Sequence, residues 1–305
     1  MQNKLNYLAF FAITLLLASC RPDEESTAKL IFKIRLDSTQ QRLNNLGQPA
    51  TTTAGNAAQS PNMQQFSAHY IELAPNAFTA VGAGEILYHA PETQTGGSTA
   101  INFNEAIIVG NNEVFLSVPI KDITVGNYEH LRVSLSYQNY DINIRYDSVH
   151  NINGTNYPVV FDAPCRVASF VGYNNFVQNV QVNTQTVAVN GNRAQGFWAA
   201  EGAISYMGQT FNFLRQGQSP AGATTVVNPL HASSPIPAGS CLATGAFVQP
   251  FTITGEEKTD VTVIISLSTN RSFEWQDYNN NGLWDANKGE PVVNMGLRGL
   301  IPIVQ

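Results

Sequence analysis

Oxygen-bearing positions alternate near the C-terminus: Asp277, Asn279 and Asn281 by their side chains, Leu283 by its backbone carbonyl, and Asp285. They lie in Asp277-Tyr278-Asn279-Asn280-Asn281-Gly282-Leu283-Trp284-Asp285, with Gly282 where the chain must turn sharply. Ca²⁺ takes about six to eight hard oxygens, and this spacing wraps them around one point. The twelfth loop position, where a bidentate carboxylate would close the shell, is Lys288; Glu290, two residues on, is expected to reach back in its place. Residues 277–290 therefore predict a structural calcium loop of weak affinity, with Kd about 10⁻⁴ to 10⁻³ M. The alternative is a metal-free turn, which Asn and Gly favour on their own.

The other chemistry-bearing residues are scattered. His69, His89, His130, His150 and His231 show no H-x-x-x-H or paired spacing, so the linear pattern predicts no zinc site. There is no nucleophile elbow, phosphate-binding loop or dinucleotide fingerprint. Glu72, Glu85, Glu92 and Glu201 could pair as glycosidase carboxylates, but solvated surface or rim positions are the expectation for them. The chain is accordingly expected not to be an enzyme. Trp198, Trp275 and Trp284 are expected to fill the core. Cys165 and Cys241 are expected to form a disulfide, which would stabilise by roughly 4 kcal/mol in the chain-entropy model; two buried free thiols are the alternative.

The elements that must position these residues read as strands. Leu30 to Leu36 and Leu131 to Tyr137 alternate apolar and polar, the second cleanly enough to predict a sheet with one wet face. Further strand patterns cover Tyr70 to Leu73, Gly84 to Tyr88, Glu113 to Val118, Ile142 to Tyr146, Val167 to Val171, Phe176 to Val189, Phe197 to Tyr206, Phe211 to Leu214, Phe247 to Ile253 and Val261 to Leu267. Gly, Asn and Pro punctuate the gaps, and no amphipathic helix follows residue 20. Residues 38–66 and 215–245 read as long loops. Many short strands separated by turns predict an all-β, antiparallel sandwich-like domain spanning residues 29–305.

Only 12% of residues are charged and the net charge is −6, so no basic footprint for nucleic acid is present. The N-terminus has one early charge, Lys4, then the apolar run Tyr7 to Leu17, then Ala18-Ser19-Cys20. That run is shorter than the roughly 20 residues a spanning helix needs, and fits a signal peptide over residues 1–19. Leu17-Ala18-Ser19-Cys20 resembles the lipobox of bacterial lipoproteins, which implies acylation of the Cys20 thiol and cleavage before it. Residues 20–28 then form a tether. Its Asp23, Glu24 and Glu25 resemble the acidic export signal of Bacteroidota surface lipoproteins, implying an outer-membrane location facing the exterior.

Two further resemblances follow. Val118-Pro119-Ile120-Lys121-Asp122-Ile123-Thr124-Val125-Gly126-Asn127-Tyr128 is similar to a hairpin common in Bacteroidota β-sandwich lipoproteins, including MbnP-like domains. MbnP-type proteins can bind copper through histidine and a modified tryptophan; His69 has no tryptophan near it in sequence, so copper is not carried over. The 277–290 loop resembles EF-hand-like loops of bacterial extracellular calcium modules. Asp37-Ser38-Thr39 and Asp147-Ser148-Val149 resemble the D-[S/T]-x O-glycosylation signal, which would place sugar on Ser38 and Ser148. Together these readings predict a lipid-anchored binding or assembly module: an accessory subunit partnered with protein in an outer-membrane complex, or an adhesion module. Three rivals stand beside it. A glycan binder requires a row of exposed aromatics in a groove. An enzyme requires convergent carboxylates or histidines in a deep pocket. A copper binder requires a soft ligand beside His69.

Overall fold

The computed structural model describes residues 27–206, 209–219 and 228–305. In chain order the strands are β1 (Lys29–Asp37), β2 (Asn56–Gln59), β3 (Asn62–Ala74), β4 (Glu85–His89), β5 (Glu92–Thr93) and β6 (Ala100–Asn102). Then follow β7 (Val114–Pro119), β8 (Gly126–Ile152), β9 (Thr155–Phe170), β10 (Asn174–Gln181), β11 (Thr186–Ala194) and β12 (Phe197–Tyr206). The last are β13 (Gln209–Gln218), β14 (Cys241–Ile253), β15 (Val261–Ser268), β16 (Phe273–Gln276), β17 (Val292–Asn294) and β18 (Arg298–Val304). Among the described residues no helix reaches seven residues, and none is long and apolar enough to cross a membrane.

The strands form an all-β, sandwich-like arrangement of several sheets. The largest runs β13-β12-β9-β8-β3-β4, with β14 also paired to β8; a second runs β18-β15-β1-β7. Pairing is antiparallel except for β1 with β15 and β6 with β10. The main core lies between the two sheets. Leu30, Phe32 and Ile34 of β1 and Val263, Ile265 and Leu267 of β15 share it with Ile71, Leu73, Leu131, Val133 and Leu135. The alternation read in the sequence places these residues on one face of each strand.

The opposite face of the large sheet is not wet as expected. Arg132, Ser134 and Ser136, the polar positions of the alternating run, are all buried. A loop covers Arg132: its guanidinium donates to the Thr79 carbonyl at 2.5 Å and sits 3.6 Å from the buried Glu72 carboxylate. Farther along, Tyr137, Ala168 and Phe170 pack with Val177, Val180, Val187 and Val189 of β10 and β11 as a second core. Polar residues between apolar ones signal the period of a strand; they do not say what lies on top of it.

Other boundaries differ too. The two patterns at 131–137 and 142–146 belong to one 27-residue strand, β8. The pattern at 176–189 divides into β10 and β11. The loop expected over 38–66 contains β2 and the start of β3, and the one expected over 215–245 is entered by β13 and left by β14.

Candidate functional site

β16 feeds the 277–290 loop, and the Gln276 amide closes its neck by donating to the Pro291 carbonyl at 3.1 Å. Gly282 takes φ +75°, the left-handed turn expected of it. Hydrogen bonds tie the predicted residues to one another and to the loop backbone, with Asn279 and Asn281 Oδ1 accepting the amides of Asn281 at 3.1 Å and Leu283 at 2.7 Å. Asp277 accepts the backbone amides of Asn281 and Gly282 at 3.1 and 2.9 Å. The side-chain amides of Asn279 and Asn281 donate to Asp285 Oδ2 at 2.5 and 2.7 Å. Glu290 folds back over the loop, accepting from the amides of Tyr278 at 3.0 Å and Asp285 at 2.8 Å. Lys288 instead points away and pairs with Asp147 of β8 at 3.3 Å. Asp285 is fully buried, and its Oδ1 has no hydrogen-bond partner. Burial pushes the Glu290 carboxyl up, and the charges of Asp285 and Asp277 push it further.

The loop also closes one end of a groove. Trp284, almost entirely buried, bridges to Ile144 on the free edge of β8, and its carbonyl accepts the Arg145 amide at 3.0 Å. Its indole N–H donates to the Glu290 carbonyl at 3.0 Å, and its ring meets Trp198 edge-on at 5.5 Å. Asn287 donates to the Asp147 carbonyl. An otherwise bare strand edge is thus covered. Beyond Trp284 the main core opens as a cavity of about 550 Å³ lined by Tyr146, Phe161, Trp198, Phe213, Ile204 and Trp284, among others. Two glycines let its aromatic rings lie flat. A Cβ at Gly202 would stand 2.3 Å from the Phe213 ring, and one at Gly217 would stand 2.5 Å from the Trp198 ring. Trp198, expected in the core, is half-buried at this wall. From the groove the β8–β9 hairpin runs on with Val149, Tyr157 and Val160 61, 48 and 57% exposed.

The cysteines correct the sequence reading: Cys165 and Cys241 are separate buried thiols. Cys165 pairs with Ile142 and Cys241 with Leu135, along the same edge of β8. Seven positions at about 3.4 Å each separate them by roughly 24 Å, far beyond the roughly 7 Å Cα limit of a disulfide. Burial pushes the Cys165 thiol up to about 12.

Histidines that the sequence keeps apart come together. His69 Nε2 lies 3.0 Å from Glu92 Oε1, and the His69 and His89 ring centroids are 4.7 Å apart. Burial holds the His69 imidazole below its ordinary range, against the opposing hydrogen bond from Glu92. Two of the other carboxylates considered as catalytic, Glu72 and Glu201, are buried rather than solvated as expected, and each is engaged separately. Glu72 accepts from the amides of Gly82 and Gly84, and Glu201 from those of Asn183, Thr184 and Gln185. Ser38 is exposed just after β1, whereas Ser148 is half-buried within β8. Cys20 and the acidic residues after it lie outside the described residues.

Sequence reasoning found the 277–290 loop because its residues are consecutive. It missed the groove, which four strands build, and the histidine cluster, which depends on strand register. No protein-family model, curated protein or solved structure matches the chain.

Proposed function

We propose that the chain is a lipid-anchored, exterior-facing outer-membrane lipoprotein whose β body is a non-catalytic binding and assembly module for a protein partner. The observation that carries this reading is the apolar groove continuing into the β8–β9 hairpin. Tyr157 lies on the groove side of that hairpin, beside His150, while Val149 and Val160 belong to the opposite face. Apolar side chains exposed on both faces of the hairpin leave surface that water does not favour, and exposed apolar surface marks interaction sites. A peptide segment or loop from a partner would bury it.

Calcium fits the loop that closes the groove. Asp277, Asn279, Asn281, the Leu283 carbonyl, Asp285 and Glu290 would hold the ion. Turning each asparagine amide brings its oxygen to where its NH₂ now meets Asp285, at the cost of the Asn281 and Leu283 amides those oxygens now accept, and the ion would offset three carboxylates and the unpartnered Asp285 Oδ1. The role is structural: it would set Trp284 against the groove wall. A glycan reading is second, favoured by the aromatic lining of Tyr146, Phe161, Trp198 and Phe213.

The test is co-purification from native membranes with the anchored full chain, alongside the Tyr157→Asp/Val160→Asp double variant. Both side chains are exposed, so the fold should survive. A partner recovered with the natural chain and lost with the variant supports the reading. Equal recovery, or no partner with either, overturns it; saturable oligosaccharide binding blocked by Phe213→Ala would put the glycan reading in its place.

A further inference from the structure

Two strand irregularities build the histidine cluster. In the β3–β8 ladder, Ala68 pairs with Leu135 and Tyr70 with Ser134, so His69 is an extra residue on β3. A bulge of this kind re-aims a side chain. Here it lets His69 meet His89, which pairs with Tyr70 from the end of β4. One step earlier, Ser67 pairs with Tyr137, which leaves Ser136 unpaired with β3. The Ser136 carbonyl instead accepts the amides of Val171 and Gly172 at 2.9 and 3.1 Å. That contact holds the turn from which the Tyr173 hydroxyl donates to Glu92 Oε1 at 2.8 Å.

We propose that His69, His89 and Glu92 form a binding site for a divalent transition-metal ion of the zinc class, with an open position for water. Their donor atoms all lie within 4.8 Å of one another. Ligand atoms around tetrahedral zinc, with bonds of about 2.0–2.1 Å, are about 3.3 Å apart, so the cluster needs at most about 1.5 Å of closure. The 3.0 Å separation of His69 Nε2 from Glu92 Oε1 already approaches that value. His89 is on the surface and supplies the movement.

The tautomer of His89 also fits. Its Nδ1 lies 3.0 Å from the Ala90 carbonyl, which can only accept, so Nδ1 carries the proton and Nε2 presents its lone pair. Tyr173 orients the carboxylate. Two imidazoles and one carboxylate are a zinc-type donor set, whereas Ca²⁺ wants oxygens throughout and Cu(I) wants sulfur; among the described residues no cysteine joins the cluster.

The experiment titrates the chelator-stripped full chain with Zn²⁺ by calorimetry and with Co²⁺ by visible absorption. One equivalent of zinc is expected, with tetrahedral Co²⁺ bands. His89→Ala and Glu92→Gln, both at exposed positions, should each weaken zinc at least about 100-fold, the upper end of what losing a supporting partner costs. His150→Ala should leave binding unchanged, and Ca²⁺ should not compete. Absence of stoichiometric zinc binding, or unaltered affinity in both ligand variants, would overturn the proposal.

Discussion

The 277–290 loop and the His69–His89–Glu92 cluster assemble their polar side chains in opposite ways. The loop draws all its oxygens from fourteen consecutive residues, and turn geometry brings them together. The cluster draws three residues from β3, β4 and β5 and a supporting tyrosine from beyond β9. In the loop Asp277 and Glu290 bind backbone amides, so those carboxylates and the turn are one object. In the cluster the ligands meet because strands pair in one register, with a bulge at His69. Local order should therefore change when an ion enters the loop, whereas the cluster stands on sheet structure that exists without one.

The largest test of this contrast is Trp284→Ala. It detaches the loop from the groove and should cost about 3–5 kcal/mol in chemical denaturation, weaken calcium binding and leave zinc binding at the cluster intact. Loss of both metals together would show that the two regions are coupled.

Calcium itself comes next. At about ten times its Kd it should stabilise by about 1.4 kcal/mol, raising the melting temperature by about 3–6 °C. Asp277→Asn/Asp285→Asn should abolish that shift, and His89→Ala should not touch it. An unchanged melting temperature across a calcium titration of the natural chain would remove the ion from the loop.

Acid should act on the strand that feeds the loop. Burial pushes the Glu274 carboxyl of β16 up, but hydrogen bonds from Asn56, Arg42 and the Thr53 amide outweigh it and hold the group below its ordinary value of 4.5. A depressed carboxyl stabilises the fold above the unfolded value, and this contribution is lost as pH falls through the folded one. Stability should therefore decline below about pH 4.5, and Glu274→Gln should flatten the decline in denaturation curves collected across that range.

The smallest expected effect is none. A Cys165–Cys241 bridge would have tied the groove side of β8 to the histidine side. With both thiols free, a reducing agent should leave the melting temperature unchanged, and thiol reagents should label both only on unfolding. A drop on reduction would restore the link.

Much of this was legible in the residues. Alternation at Leu30 to Leu36 and Leu131 to Tyr137 gave strands because apolar period reports one buried face. The same residues could not reveal that Arg132 is also covered, since its cover is the loop at Thr79, distant in sequence. The sharp turn at Gly282 and the return of Glu290 over the 277–290 loop could be read from the residues, because spacing within a turn is a local property. His69 and His89 lie twenty positions apart, and only the register of β3 with β4 and the bulge beside Ala68 make them neighbours. The disulfide failed for the same reason: no local signal states that Cys165 and Cys241 pair seven positions apart on β8.

The central claim, that the groove and the β8–β9 hairpin receive a protein partner, is tested most directly by site-specific photo-crosslinking in native membranes. A photoreactive residue replaces Tyr157 at the hairpin or, as the control, Val248, which is 86% exposed near the opposite end of β8. A discrete cross-linked protein from position 157 and none from position 248 is the predicted result. Equal cross-linking from both positions, or none from 157, would contradict the account.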